Sequence, residues 1–195
     1  SILRQDPDIV MVGEIRDLDT ADTSVQAALT GHLMFSTVHT NSAAGAIPRF
    51  VSMGVKPFLL APALNAIIGQ RLVRRVCEKC KEKIELDDKQ KAEVEKFIAT
   101  MPEKAKAETT KKELVFYKGG GCDACGGIGY KGRIGIYEIL LMNTDIEQMV
   151  LAGNVAEHDI EQAAINAGMV TMVQDGIIKA LEGLTSLDEV FRVID

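Results

Sequence analysis

The stretch Asp6–Asp17 reads DPDIVMVGEIRD, an apolar run that stops on a glycine and then presents a glutamate, an arginine and an aspartate. Its centre, Ile9–Ile15, is short and rich in Ile and Val, the composition of a strand covered on both faces in a parallel sheet. Asp17 or Asp19 can cap a helix that runs through Val25, Ala27, Ala28 and Leu29 and stops at Gly31. A second strand-like run, Leu33–Val38, leads to Thr40 and Asn41, which can cap a helix over Ser42–Met53 ending at Gly54. Strand, helix, strand, helix is the signature of an α/β core. Pro48 falls inside this second helix and Pro62 inside the next, so both helices are expected to be kinked or short.

Outward from this core the composition divides the chain into four parts. Residues 1–76 form the partial α/β core. Residues 77–131 open with CEKC, close with GCDACGGIGYKG and hold a Lys/Glu-rich helical stretch, about Asp87–Ala99, with a polar connector to about Lys112. This part reads as an insertion. Residues 132–142, GRIGIYEILLM, alternate like a strand that returns to the core sheet. Residues 143–195 read as helices over Asp145–Leu151, Glu157–Ala167, Met172–Leu181 and Ser186–Val193, separated by Gly153, Gly168 and Gly183.

A chain of 195 residues buries a sizeable core and stands between one domain and two. No apolar run approaches 18 residues and no signal-peptide layout or lipidation motif is present, so the expectation is a soluble intracellular protein. The net charge is −6, but Glu78–Lys118 carries eleven lysines against ten acidic residues and no arginine, which leaves about −7 on the rest. Neither part attracts a phosphate backbone, so no nucleic-acid partner is expected. The chain starts at Ser1 and reaches its first strand within a few residues, the layout of a fragment of a longer protein.

All four cysteines fall into two CxxC pairs, Cys77/Cys80 and Cys122/Cys125. In a reducing compartment two such knuckles supply the four thiolates of a tetrahedral Zn2+ site. Structural disulfides need an oxidising compartment, and a redox CxxC comes singly at a helix start. Four thiolates close the coordination sphere, so the zinc is expected to be structural rather than catalytic. A nucleic-acid zinc ribbon is the competing reading, and the balanced charge and few aromatics of the insert oppose it. Gly127, Gly129 and Gly132 match GxGxxG, but they follow a knuckle and lead into a strand, the reverse of the dinucleotide fingerprint.

Catalytic groups in open α/β sheets gather at the carboxyl ends of strands. Glu14 stands at such an end, with Arg16 and Asp17 directly after it, and His32 and His39 bracket the second strand in TGHLMFSTVHTN. A helix cap or an ion pair with Arg16 is the alternative reading of Glu14. A carboxylate after an apolar strand is what phosphoryl-transfer sites use to position water and support magnesium. Such a site also needs a phosphate loop, GxxxxGK[ST], and the 195 residues contain none.

Taken together, RQDPDIVMVGEIRD resembles the Walker B segment of the secretion and type IV pilus assembly ATPase family, the group of type II secretion ATPase E and PilB. TGHLMFSTVHTN resembles that family's histidine box. QRLVRRVCEKC with GCDACGGIGYKGRIGIYEIL resembles its tetracysteine subdomain, and VQDGIIKALEGLTSLDEVFRV its last helices. The resemblance implies the C-terminal part of a RecA-like P-loop NTPase core with an inserted zinc subdomain and a C-terminal helical region. It implies Glu14 as the carboxylate that orients the attacking water, His39 at the γ-phosphate with His32 in support, and Cys77, Cys80, Cys122 and Cys125 as zinc ligands. Arg16 and Asp17 are further candidates for contacting nucleotide. Implied too are ATP and Mg2+ in the full-length protein, a homo-hexamer, and an inner-membrane platform that holds a cytoplasmic motor at the membrane. That motor drives pilin or pseudopilin assembly. The upstream Walker A loop and acidic box are missing here, so the fragment alone is expected to be inactive. A non-enzymatic zinc-ribbon module and a retraction-type pilus motor are the alternatives.

Overall fold

The computed structural model describes residues 7–111 and 113–194, so Arg4–Asp6 and the Lys112 end of the polar connector lie outside the described residues. The chain divides into two compact units, one comprising the residues up to Ile67 with Leu140–Ala164, the other Ile68–Ile139 with the residues from Ile165 onward.

In the first unit, β1 (Ile9–Val12) and β2 (Leu33–Ser36) run parallel, in register from Ile9 against Leu33 to Val12 against Ser36. Parallel neighbours require a crossover, and α1 (Leu18–Leu29) supplies it. Asp17 caps α1 by accepting a hydrogen bond from the Thr20 N–H at 2.8 Å, and the helix buries Ala21, Ser24, Val25 and Ala27. Val10 is buried, whereas Ile9, Met11, Leu33 and Phe35 are exposed on the opposite sheet face.

The helix expected over Ser42–Met53 is shorter, α2 (Ala46–Ser52), and buries Ala46, Ile47 and Phe50. Pro48 is its third residue, where a missing N–H costs no intrahelical bond. The next helix, α3 (Pro57–Ala63), starts on one proline and carries Pro62 near its end. It packs against α1 and α6 (Thr144–Leu151). Asn143 caps α6, and α7 (Glu157–Asn166) follows.

The long strands β3 (Ala66–Val76) and β6 (Tyr130–Leu141) pair with each other. Met142 N–H donates to the Asn65 carbonyl at one end and Cys77 N–H to the Gly129 carbonyl at the other, an antiparallel register. The strand expected over residues 132–142 to return to the core sheet lies within β6, whose partner among the described residues is β3. Alternation identifies a strand but does not name its neighbour.

Within the second unit β4 (Lys81–Ile84) lies antiparallel to β5 (Phe116–Gly119). A capping box of Asp87 and Gln90 starts α4 (Asp88–Ala99), and α5 (Glu103–Thr109) follows it. α8 (Met172–Leu181) starts on a second capping box, Thr171 with Gln174, and α9 (Leu187–Ile194) ends the described chain. Val94 and Ile98 of α4 are buried with Phe116, Ile177 and Leu187 in one core. The Gln174 amide donates to the Phe97 carbonyl at 3.3 Å, which fixes α8 on the end of α4. A smaller cluster joins Val73, Ile136 and Met172.

Candidate active site and metal centre

Beyond Val12 and Ser36 the two parallel strands stay joined by side-chain and backbone bonds. Ile15 N–H donates to the Thr37 carbonyl at 2.9 Å, and the Thr37 hydroxyl donates to the Gly13 carbonyl at 2.8 Å. This latch brings the residues after each strand together at the carboxyl end of the sheet. Glu14 and His39, 25 residues apart, meet there with His39 Nε2 at 3.2 Å from Glu14 Oε2. Arg16 Nε donates to the same oxygen at 2.6 Å. Partial loss of water at the strand end pushes the Glu14 carboxyl up, but the bonds and charges of Arg16 and His39 outweigh it and hold the group below the usual carboxylate range. Glu14 is thus an ionised acceptor at neutral pH, oriented from two sides.

The other residues singled out in the sequence separate by role. Asp17 spends its carboxylate on the α1 N-terminus, and the bonds from Thr20 lower its pKa. His32 stands at the amino end of β2, and four strand residues at roughly 3.3 Å each put it about 13 Å from the end that carries His39. Its Nδ1 lies 3.0 Å from the Ala27 carbonyl and 3.1 Å from the Thr30 hydroxyl. A carbonyl only accepts, so Nδ1 carries the proton, and the ring closes the C-terminus of α1. In this structure His32 is thus held at the α1 side of β2, and the contacts of its ring are with α1 rather than with His39. Thr37, passed over in the sequence as one polar residue among several, is what ties the two strand ends.

The four cysteines meet at the junction of β3 with β4 and of β5 with β6. The sulfurs of Cys77, Cys80, Cys122 and Cys125 all lie within 4.8 Å of one another. Cys77 to Cys122 is 3.9 Å, Cys80 to Cys125 3.8 Å and Cys122 to Cys125 3.8 Å. Four sulfurs at 2.3 Å from a tetrahedral zinc stand about 3.8 Å apart, so the donor set fits Zn2+ in chemistry and in size. Backbone N–H groups of Cys122 and Gly129 donate to the Cys125 sulfur at 3.2 and 3.3 Å. The Cys122 bond leads in lowering that thiol to about 6, while burial pushes Cys80 up to about 12. The knuckles can approach because Gly119 faces Gly129 without side chains: a Cβ at Gly119 would overlap the Gly129 carbonyl.

Comparison with known proteins places these features in one group. The family model for "Type II/IV secretion system protein" matches residues 1–192. The chain is 46% identical over 190 residues to the type IV pilus assembly ATPase PilB of Thermus thermophilus, covering 97% of this chain and 20% of that protein. It is 44% identical over 193 residues to the type II secretion system ATPase E of Vibrio cholerae, covering 99% of this chain and 36% of that protein. The chain thus spans between a fifth and about a third of these relatives' lengths. Among solved structures it is similar to the pilus retraction motor PilT with bound ADP, at a TM-score of 0.59 and 27% identity over 98% of this chain and 41% of that one. The ATPase DotB of Legionella pneumophila shares the fold, with a TM-score of 0.62 at 20% identity over 99% of this chain and 40% of that one. The fold is accordingly RecA-like, as in these ATPases, and the chain belongs to the type II/IV secretion system protein family.

Proposed function

We propose that these residues form the water-positioning and zinc-bearing part of a hexameric ATPase that drives pilin or pseudopilin assembly in type II secretion or type IV pilus biogenesis. The observation that carries the reading is Glu14, an ionised carboxylate at the carboxyl end of a parallel strand, held between His39 and Arg16. In that place Glu14 accepts a hydrogen from water and aims its oxygen at the terminal phosphate, while His39 and Arg16 fix the carboxylate. Bound Mg2+ supplies charge neutralisation on the phosphates. The phosphate loop comes from polypeptide outside these 195 residues, which contain no GxxxxGK[ST], so the isolated chain does not turn over ATP. The four cysteines hold one structural Zn2+. The assembled motor works on the cytoplasmic face of the inner membrane through a membrane platform. Among the described residues no helix is long and apolar enough to cross a membrane.

The likeness to PilT favours a second reading, a retraction motor. The assembly reading rests on the higher identity to PilB and ATPase E and on the tetracysteine centre.

The test is ATP hydrolysis by the full-length protein and by its Glu14→Gln variant. The variant is expected to keep nucleotide binding and to lose turnover by about a hundredfold or more. Unchanged turnover sinks the role of Glu14, and robust turnover by the 195-residue chain alone sinks the assignment of the phosphate loop elsewhere.

A further inference from the structure

Between His39 and α2 the chain has no regular secondary structure, yet Thr40, Ser42 and Gly45 are hydrogen-bonded. The Thr40 hydroxyl donates to the Ser42 carbonyl at 2.8 Å. The Ser42 hydroxyl acts in both senses: it donates to Glu157 Oε1 at 2.5 Å and accepts from the Gly45 N–H at 2.9 Å. Ala43 and Ala44 are buried immediately beside it. Glu157, the first residue of α7 and 115 positions away from Ser42, is thereby joined to the loop that follows the histidine.

Gly45 provides an independent observation. Its backbone, φ −65 and ψ −15, is open to any residue, so no conformational demand calls for glycine. A Cβ there would stand 3.1 Å from Ser42 Oγ and 3.2 Å from Glu157 Cδ and Oε1. The missing side chain makes room for the Ser42–Glu157 pair.

We propose that Glu157 is a positioning residue for the nucleotide site: through Ser42, seated on Gly45, it anchors the loop of residues 40–45 and so fixes His39 against Glu14. The inference rests on the ATPase reading above. It adds a residue from the C-terminal helices to a site otherwise built from the two strands.

In the full-length ATPase, Glu157→Ala and Ser42→Ala are each expected to lower kcat by about tenfold, with KM for ATP changed less than about twofold. The double variant is expected to lose no more than the worse single one, since both remove the same bond. Gly45→Ala, whose methyl crowds the pair by a few tenths of an ångström, is expected to lower kcat in the same direction. Glu157→Gln keeps an acceptor oxygen for Ser42 and retains kcat within about twofold. In carbon–proton NMR spectra of the 195-residue chain, the His39 ring resonances shift in Glu157→Ala and Ser42→Ala but stay in place in Glu157→Gln. Multiplying losses in the double variant, or an unmoved His39 ring in both alanine variants, overturn the proposal. Absence of turnover by the wild-type full-length protein would instead fell the ATPase reading, and the His39 resonances would still decide the positioning role.

Discussion

Arg74 and Glu189 are bound to each other twice: the Arg74 backbone N–H and its guanidinium both donate to the Glu189 carboxylate, at 3.0 and 2.5 Å. Arg192 adds two further bonds at 2.8 and 2.9 Å, and the Arg74 guanidinium lies 4.3 Å from the centre of the Tyr130 ring. The Tyr130 hydroxyl in turn stands 2.9 Å from Ser186 Oγ, just before α9. Glu189 is 1% exposed. This network fastens β3, next to the first cysteine knuckle, to the last helix.

Removing one partner of such a pair leaves the other's hydrogen-bonding groups unmatched, which costs more than the pair contributes over an apolar replacement. Glu189→Ala is expected to destabilise the second unit by about 2–4 kcal/mol, reduced from the fully buried case because both arginines keep solvent contact. Urea unfolding of the 195-residue chain measures it. A change under about 0.5 kcal/mol contradicts the assignment.

The same carboxylate predicts a pH dependence. Burial pushes the Glu189 carboxyl up, but the bonds from Arg192 and Arg74 override it and place the group far below its ordinary value. The unfolded chain titrates at about 4.3, so below that pH it binds a proton that the folded chain does not. The stabilisation is therefore complete above about pH 5 and is lost as pH falls toward the folded value. Thermal melts between pH 6 and about pH 3 are expected to fall more steeply for the wild type than for Glu189→Gln. Parallel curves would show that Glu189 does not govern acid unfolding.

What the sequence disclosed and what it hid divide along the range of the interaction. The β1–α1–β2 order was legible because side-chain periodicity, the Asp17 cap and the stop at Gly31 act within one element. The clustering of the four cysteines was legible because two CxxC pairs carry their own geometry. The stretch over Asp87–Ala99 reads as a Lys/Glu-rich helix, yet two of its apolar residues, Val94 and Ile98, sit under α8 and beside Phe116. Their partners on α8 and α9 are over 70 residues away, and no local pattern encodes them. His32 and His39 looked alike because they flank one strand, and a strand carries its two flanks to opposite ends of the sheet. Ser42, Gly45 and Glu157 gave no sequence signal at all: a serine, a glycine and a glutamate at a helix start are ordinary singly.

Zinc content and its consequence can be tested together. Chain purified without chelator is expected to carry about one zinc, and chelation is expected to unfold the cysteine knuckles, because a site absent from the unfolded state makes metal affinity part of folding stability. Gly119→Ala, whose Cβ would overlap the Gly129 carbonyl, is expected to weaken zinc retention against a competing chelator by tenfold or more, about the effect of disturbing a supporting shell. Inductively coupled plasma measurements and hydrogen exchange at β4 and β5 provide the readouts. Metal-free chain with unaltered exchange would remove the zinc from the account.

The latch between the strand ends yields the last expectation. Thr37 donates to the Gly13 carbonyl while its own carbonyl accepts from Ile15, so one residue ties both sides of Glu14 to the strand that carries His39. Thr37→Val keeps the shape and the β-branched preference for extended backbone but deletes the donor. The backbone bond from Ile15 survives, so stability is expected to fall by only about 0.5–1.5 kcal/mol. On the proposed function, ATP turnover by the full-length protein draws on the mutual placement of Glu14 and His39, and it should fall further, by about tenfold. Thr37→Ser restores the hydroxyl and should recover most of it. Equal activity in the valine and serine variants would mean that the latch serves folding alone, leaving the placement of Glu14 to Arg16 and His39.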